Sequence, residues 1–186
     1  MAVDLELLFR PAARPDLFED LLVPTGRTGS APTDDAGEIG KRWSIPAAEE
    51  LDNPTPESVS AALAAGGGVV IDLLDRSAHD AADLLIAAAH GGVGFGPGLQ
   101  PRAETAEQVW TLISAAMAAI IGEDVQTQWV ECGEGQTGPD TERRAFITGL
   151  GRSARETIRD VITVIGVPAE SLAGIAATFP AEGELR

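Results

Sequence analysis

Two glycine-rich segments carry the residue types best suited to binding a small ligand. The first, Gly149-Leu-Gly151-Arg-Ser-Ala154, fits the G-x-G-x-x-A spacing, which in dinucleotide folds brings backbone amides and a helix N-terminus against a phosphate. Those folds also need a second strand with an acid about 20 residues further on, and here that region reads Val167-Pro-Ala-Glu170 within a helical pattern. The spacing thus allows a phosphate contact, but the context of a nucleotide fold is missing.

The second segment begins at His90 and contains five glycines up to Gly98. His90 could act as a general base, and the glycines would let the backbone approach a ligand closely. A histidine at the end of a helix is, however, also a favourable charge on the helix dipole. The segment lacks the Gly-Lys of a Walker motif. If the two segments were neighbouring walls of one pocket, its residues would be His90, Gly92, Gly94, Gly149, Gly151, Arg152, Ser153 and Arg155.

Five arginines lie close together between residues 143 and 159 of an otherwise acidic chain. Cations in the first turn of a helix oppose the helix dipole, so a negative group is expected beside them. That group is either a bound phosphate, carboxylate or acidic partner, or the protein's own acids. We favour the protein's own acids, because the rest of the chain is so rich in negative charge. The arginines are Arg143, Arg144, Arg152, Arg155 and Arg159.

Carboxylates and an imidazole follow a predicted central strand, at the sheet edge where α/β proteins often bind ligands. They are Asp72, Asp75, His79, Asp80 and Asp83. A divalent cation is conceivable there, but Asp80 is expected to cap a helix, so we predict no metal site and no cofactor. Cys132 has no histidine or second cysteine nearby and is expected to be a packed thiol. The sequence also lacks a nucleophile elbow, a zinc-binding His-Glu-x-x-His and a paired Cys-x-x-Cys.

The charge of the chain restricts its partners. Its 186 residues carry 29 acidic and 13 basic side chains, for a net charge of −16, and residues 141–186 contribute none of it. Binding to nucleic acid or to an anionic membrane rests on lysine and arginine, so both are disfavoured. The N-terminus lacks a signal-peptide pattern, and the most apolar stretch, 109–121, is shorter than the roughly 20 residues of a membrane span. We therefore expect a cytoplasmic protein, and the single lysine and abundant alanine suggest a high-GC bacterial genome.

Apolar periodicity and capping residues predict the secondary structure. Residues 24–40 are rich in turn formers and read as a long flexible or functional loop. The predicted strands are 3–9, 41–45, 69–74, 125–132 and 144–148. The predicted helices are 16–22, 55–66, 77–90, 109–121, 153–165 and 168–179, with Ser153 and Glu156 as the capping box of the fifth.

This order of elements predicts one α+β or α/β domain over residues 1–186, with a mixed sheet of four or five strands and five or six helices. The acidic field favours a non-enzymatic module, of inhibitor, immunity or adaptor type, that binds a basic or neutral protein; a homo-oligomer is also compatible with the sequence. The expected contact residues are Asp34, Asp35, Glu38, Asp72, Asp75, Asp80 and Asp83. The alternative is a small enzyme or a phosphate-type ligand binder that uses the pocket between segments 90–98 and 149–155.

Overall fold

Short parallel strands organise the chain, as seen in a computed structural model that describes residues 17–18, 21–25, 48–51, 53–91, 98–135 and 137–180. The strands are β1 (Leu22–Thr25), β2 (Ala48–Glu50), β3 (Gly68–Ile71), β4 (Leu99–Pro101) and β5 (Ile165–Pro168). One sheet has the order β2-β3-β4, the other pairs β1 with β5, and every one of these pairs is parallel. Two isolated parallel bridges, Leu99 to Ile162 and Arg102 to Gly166, join the sheets edge to edge.

Seven helices accompany these five strands in the described part of the chain, which forms a single α+β domain. They are α1 (Pro56–Ala64), α2 (Ala78–Gly91), α3 (Ala106–Ile121), α4 (Val125–Glu131), α5 (Thr141–Thr148), α6 (Arg152–Val161) and α7 (Leu172–Ala176). The predicted α+β class is therefore confirmed. None of these helices is both long and apolar enough to span a lipid bilayer.

The strongest sequence signals produce the helices that were predicted. Thr55 caps α1, with Pro56 in its first turn, and the Ser77 hydroxyl accepts a hydrogen bond from the Asp80 amide at the start of α2. Helix α3 is buried along most of its length and ends at Gly122, whose φ of 76° is the left-handed conformation that glycine adopts readily. Residues of both sheets, of α2 and of α3 belong to one hydrophobic core.

Two predicted strands are wrong, because both segments are helical. Residues 125–132 contain α4, and 144–148 belong to α5. In each case an aspartate decides the structure: Asp124 accepts hydrogen bonds from the amides of Gln126 and Thr127, and Asp140 accepts one from the amide of Arg143. These caps satisfy amides that have no partner within the helix, and so favour helix over strand.

Other element boundaries also need correction. Helix α6 begins at Arg152 after Gly151, without a side-chain cap, so the predicted Ser153 capping box is absent. The same helix ends at Val161, and the following chain becomes β5. Residues 22–25 form β1 instead of the end of a helix and the start of a loop, and β4 was not predicted. The predicted strands 3–9 and 41–45, and loop residues 26–40, lie outside the described residues.

Candidate functional site

A cavity of about 740 Å³ lies between α4 and α5, beside the C-terminal end of α3. We call it the α4–α5 groove. Its lining contains four carboxylates and one cation, so the side chains of the groove carry a net charge of −3. The lining residues are Glu123, Gln128, Glu131, Cys132, Pro139, Asp140, Glu142, Arg143 and Phe146.

Helices α4 and α5 form the two walls of the groove, and several glycines lie in the described part of the connection between them. Gly133, Gly135 and Gly138 all have φ values between 63° and 86°, a backbone conformation that other residues rarely adopt. At Gly138 a side chain would also collide with Glu107 and Arg144, which join α3 to α5 through an ion pair. The close approach at Gly138 and the ion pair between Arg144 and Glu107 therefore place the start of α5 against α3.

Arg143 is the cation of the groove, and it is already engaged. Its Nη2 lies 2.7 Å from Glu123 Oε2 in an ion pair, and its Nε donates a hydrogen bond of 3.1 Å to Ser114 Oγ. Ser114 belongs to α3 and is fully buried. The guanidinium thus reaches from the first turn of α5 to the C-terminal half of α3.

Two other carboxylates of the groove, those of Glu131 and Asp140, accept hydrogen bonds from uncharged donor groups. Glu131 accepts a hydrogen bond from the Gln128 side chain, and Asp140 accepts one from the Arg143 backbone amide. Within the part of the chain that the structure describes, neither Glu131 nor Glu142 forms an ion pair. The Glu131 side of the groove and the first turn of α5 therefore hold carboxylates that no described residue neutralises in an ion pair.

Apolar surface adjoins this charge. Phe146 is 54% exposed, while Cys132 and Pro139 are buried in the wall. Burial raises the pKa of the Cys132 thiol above its ordinary value, and the nearby Glu131 carboxylate adds to the effect, against a hydrogen bond with Thr111. The thiol is therefore protonated near neutral pH and is not a ready nucleophile.

The described acids among those predicted to contact a partner do not line this groove. Asp72 follows β3 and forms an ion pair with Arg102, which also pairs with Glu50. These three side chains therefore lie together at the C-terminal ends of β2, β3 and β4. Asp80 accepts a hydrogen bond from Ser77, and Asp83 lies 3.6 Å from the His79 ring. Asp75 is exposed. Residues Asp34, Asp35 and Glu38 lie outside the described residues.

The residues of the alternative pocket are spread over different environments. His90 is exposed at the end of α2, and Gly92 and Gly94 lie outside the described residues. The turn at Gly149 and Gly151 joins two helices, α5 and α6, so the strand that the phosphate-binding arrangement requires is absent. Arg152 and Ser153 are exposed, whereas Arg155 is buried.

The protein's own acids pair with Arg143, Arg144 and Arg152, as favoured from the sequence. Arg144 pairs with Glu107 and lies 5.7 Å from the centre of the Trp110 ring. Arg152 Nε donates a hydrogen bond of 2.8 Å to Glu156, and Arg155 donates to the carbonyl oxygens of Thr148 and Leu150 at the end of α5. Arg159 is buried in α6.

Sequence reasoning missed the groove because its two walls were read as strands. A signal was nevertheless available at Asp140, which is followed by Thr141 and Glu142 in the manner of an N-cap with an acid in the first turn. In the described residues no group of three or more histidine, cysteine or acidic side chains is arranged to hold a metal ion.

Comparison of the chain with protein-family models, with curated proteins and with solved structures gives no match.

Proposed function

We propose that this protein is a binding module that holds a basic segment of another protein in the α4–α5 groove. The observation that carries the proposal is the composition of the groove wall: four carboxylates, one cation that is already paired, and an exposed phenylalanine. A cationic segment would complement this charge and cover the Phe146 ring.

The size of the groove indicates a short segment. Helix α4 has seven residues and α5 has eight, so each wall is roughly 10–12 Å long at about 1.5 Å per residue. An extended peptide covers that length with about three or four residues. Three of them would need to be lysine or arginine to balance the net charge of −3.

The charge of the whole chain supports the same partner. A net charge of −16 speeds the approach of a basic protein and repels acidic ones. The groove adds what an acidic surface alone lacks, namely a concave site with apolar contact where the partner gains specificity. The acids Asp72, Asp75, Asp80 and Asp83 then belong to the long-range field and not to the contact.

The alternative of a small-ligand site around Gly149 and Arg155 has weaker support. The helix before Gly149 removes the phosphate-binding arrangement, and Arg152 and Arg155 bind the protein's own oxygen atoms. A phosphate would have to displace these contacts before it could bind.

Fluorescence anisotropy with labelled hexa-arginine tests the proposal, with two variants of equal net charge. The double substitution Glu131→Gln with Glu142→Gln removes two charges from the groove, whereas Glu49→Gln with Glu170→Gln removes two exposed charges outside it. At about 50 mM salt we expect the first variant to bind about tenfold more weakly, at about 0.7 kcal/mol per lost contact. The second should change the affinity less than twofold.

Salt and an apolar substitution complete the test. The tenfold difference should shrink near 0.5 M salt, where the Debye length is only about 4 Å. Phe146→Ser should weaken binding at both salt concentrations, because it removes apolar contact and leaves the charge unchanged. Equal affinities of the two double variants would refute the groove as the binding site.

A further inference from the structure

Arg143 stands in a helix position that is unfavourable for a cation. It is the third residue of α5, where the positive end of the helix dipole repels a guanidinium, and acids are preferred. Its backbone amide donates a hydrogen bond to Asp140, and its side chain crosses to Ser114 on α3 and to Glu123 just beyond the end of that helix. The side-chain contacts therefore outweigh the local preference of the helix.

The two groups that bind Arg143 form a small guanidinium site. The Glu123 carboxylate lies 2.7 Å from one nitrogen of the guanidinium as an ion pair, and the Ser114 hydroxyl accepts a hydrogen bond of 3.1 Å from another nitrogen. The Ser114 hydroxyl is fully buried, so it contributes a fixed acceptor, and the Arg143 side chain is only 17% exposed. A partly buried ion pair of this kind suits the weakly hydrated guanidinium of arginine better than the strongly hydrated ammonium of lysine.

We infer that Arg143 is an internal competitor, which fills one cation subsite of the groove and confines the partner's cations to Glu131, Asp140 and Glu142. The inference rests on the proposed function. With Arg143 in place, the subsite made by Glu123 and Ser114 is closed to the partner, and the affinity of the groove stays below what its four carboxylates would give. Because Arg143 occupies the subsite that favours a guanidinium, it also lowers the preference of the groove for arginine over lysine.

The substitution Arg143→Gln tests this inference, because it frees Glu123 and changes the lining charge from −3 to −4. We expect hexa-arginine to bind about fivefold more tightly at 50 mM salt, the order of magnitude of one added charge contact near a protein surface. Hexa-lysine should gain only about twofold, because its ammonium is more strongly hydrated and therefore less suited to a partly buried ion pair. Adding Glu123→Gln to the same chain should abolish the gain for both peptides.

Arg152→Gln is the matched control, since it removes one arginine that is paired with an acid outside the groove. It should change neither affinity by more than about 1.5-fold, although the net charge of the chain is the same as in Arg143→Gln. If Arg143→Gln fails to fold, Glu123→Gln replaces it: there Arg143 keeps its charge without its partner, and hexa-arginine should bind about fivefold more weakly.

The outcomes separate the two proposals. If Arg143→Gln leaves the affinity for hexa-arginine unchanged or lowers it, while the Glu131 and Glu142 variant still weakens binding, the internal competitor is refuted and the groove stands. If the gains on hexa-arginine and hexa-lysine are equal, the guanidinium subsite is refuted. If no groove substitution changes binding, the proposed function fails and the inference fails with it.

Discussion

Replacing Gly98 by alanine should be among the most damaging small changes in this chain. A Cβ at Gly98 would lie 2.5 Å from the carbonyl oxygen of Val161 and 2.8 Å from its carbonyl carbon, and it would also meet the carbonyl oxygen of Asp160. These are backbone atoms at the C-terminal end of α6, so no side chain can rotate away. The residue stands next to β4, where the two sheets meet.

The magnitude follows from the contacts that must shift. Overpacking a closely packed site costs about 1–3 kcal/mol. Moving α6 away from β4 would also strain two hydrogen bonds, from the Gly98 amide to Thr163 Oγ1 at 2.5 Å and from the Thr163 amide to the Leu99 carbonyl at 2.9 Å, each worth about 1 kcal/mol. We expect Gly98→Ala to lower the free energy of unfolding by about 3 kcal/mol.

Urea denaturation followed by tryptophan fluorescence measures this change, because Trp110 and Trp129 are both buried. The matched control is Gly174→Ala in α7, where a Cβ meets no atom within 4 Å. That substitution should raise the free energy of unfolding by about 0.5–1 kcal/mol through helix propensity. A loss below about 1 kcal/mol for Gly98→Ala would show that α6 and β4 are not packed as described.

Three further outcomes are expected. Arg144→Met, which breaks an ion pair to α3 and a cation–π contact, should cost about 1–2 kcal/mol in the same assay, whereas Arg152→Met, which breaks an exposed pair, should cost less than about 0.5 kcal/mol. Cys132, buried and with a raised pKa, should react with a thiol reagent at pH 8 at least about a hundredfold more slowly in the native protein than in urea. Hydrogen bonds from the Thr127 hydroxyl and amide lower the pKa of Asp124 from 3.8, so its stabilisation is present above that pH and is lost as the pH falls further; acid titration of Asp124→Asn should show a smaller loss there.

The long periodic segments of this fold could be predicted from the sequence because several signals agree there. In α3, the apolar stripe and the closing Gly122 indicate the same helix, and the Thr105 cap places its start three residues before the predicted one. The short elements could not be predicted so well. Segment 125–132 contains valine and tryptophan, which favour strands, and the two amide hydrogen bonds that Asp124 accepts are what make it helical.

The candidate groove lay beyond sequence reasoning for a related reason. Its walls come from α4, α5 and the end of α3, and a wrong element type at 125–132 or 144–148 places their side chains on the wrong faces. The partners of the arginines were easier to predict, since an acidic chain supplies carboxylates near any cation. Which carboxylate pairs with which arginine, as in Arg143 and Glu123, depends on the packing of α5 against α3.

The pairing of β1 with β5 has a consequence for how the protein is made. The Thr25 hydroxyl donates to the Val167 carbonyl across 142 residues of sequence, so among the described residues β1 has no strand beside it until β5 has been synthesised. At a translation rate of about 5–20 residues per second, this strand waits roughly 7–30 s for its neighbour. During that time its unpaired amides and carbonyls are open to other nascent chains or to a chaperone, and the closing of the β1–β5 pair is expected to be the slow, final step of folding.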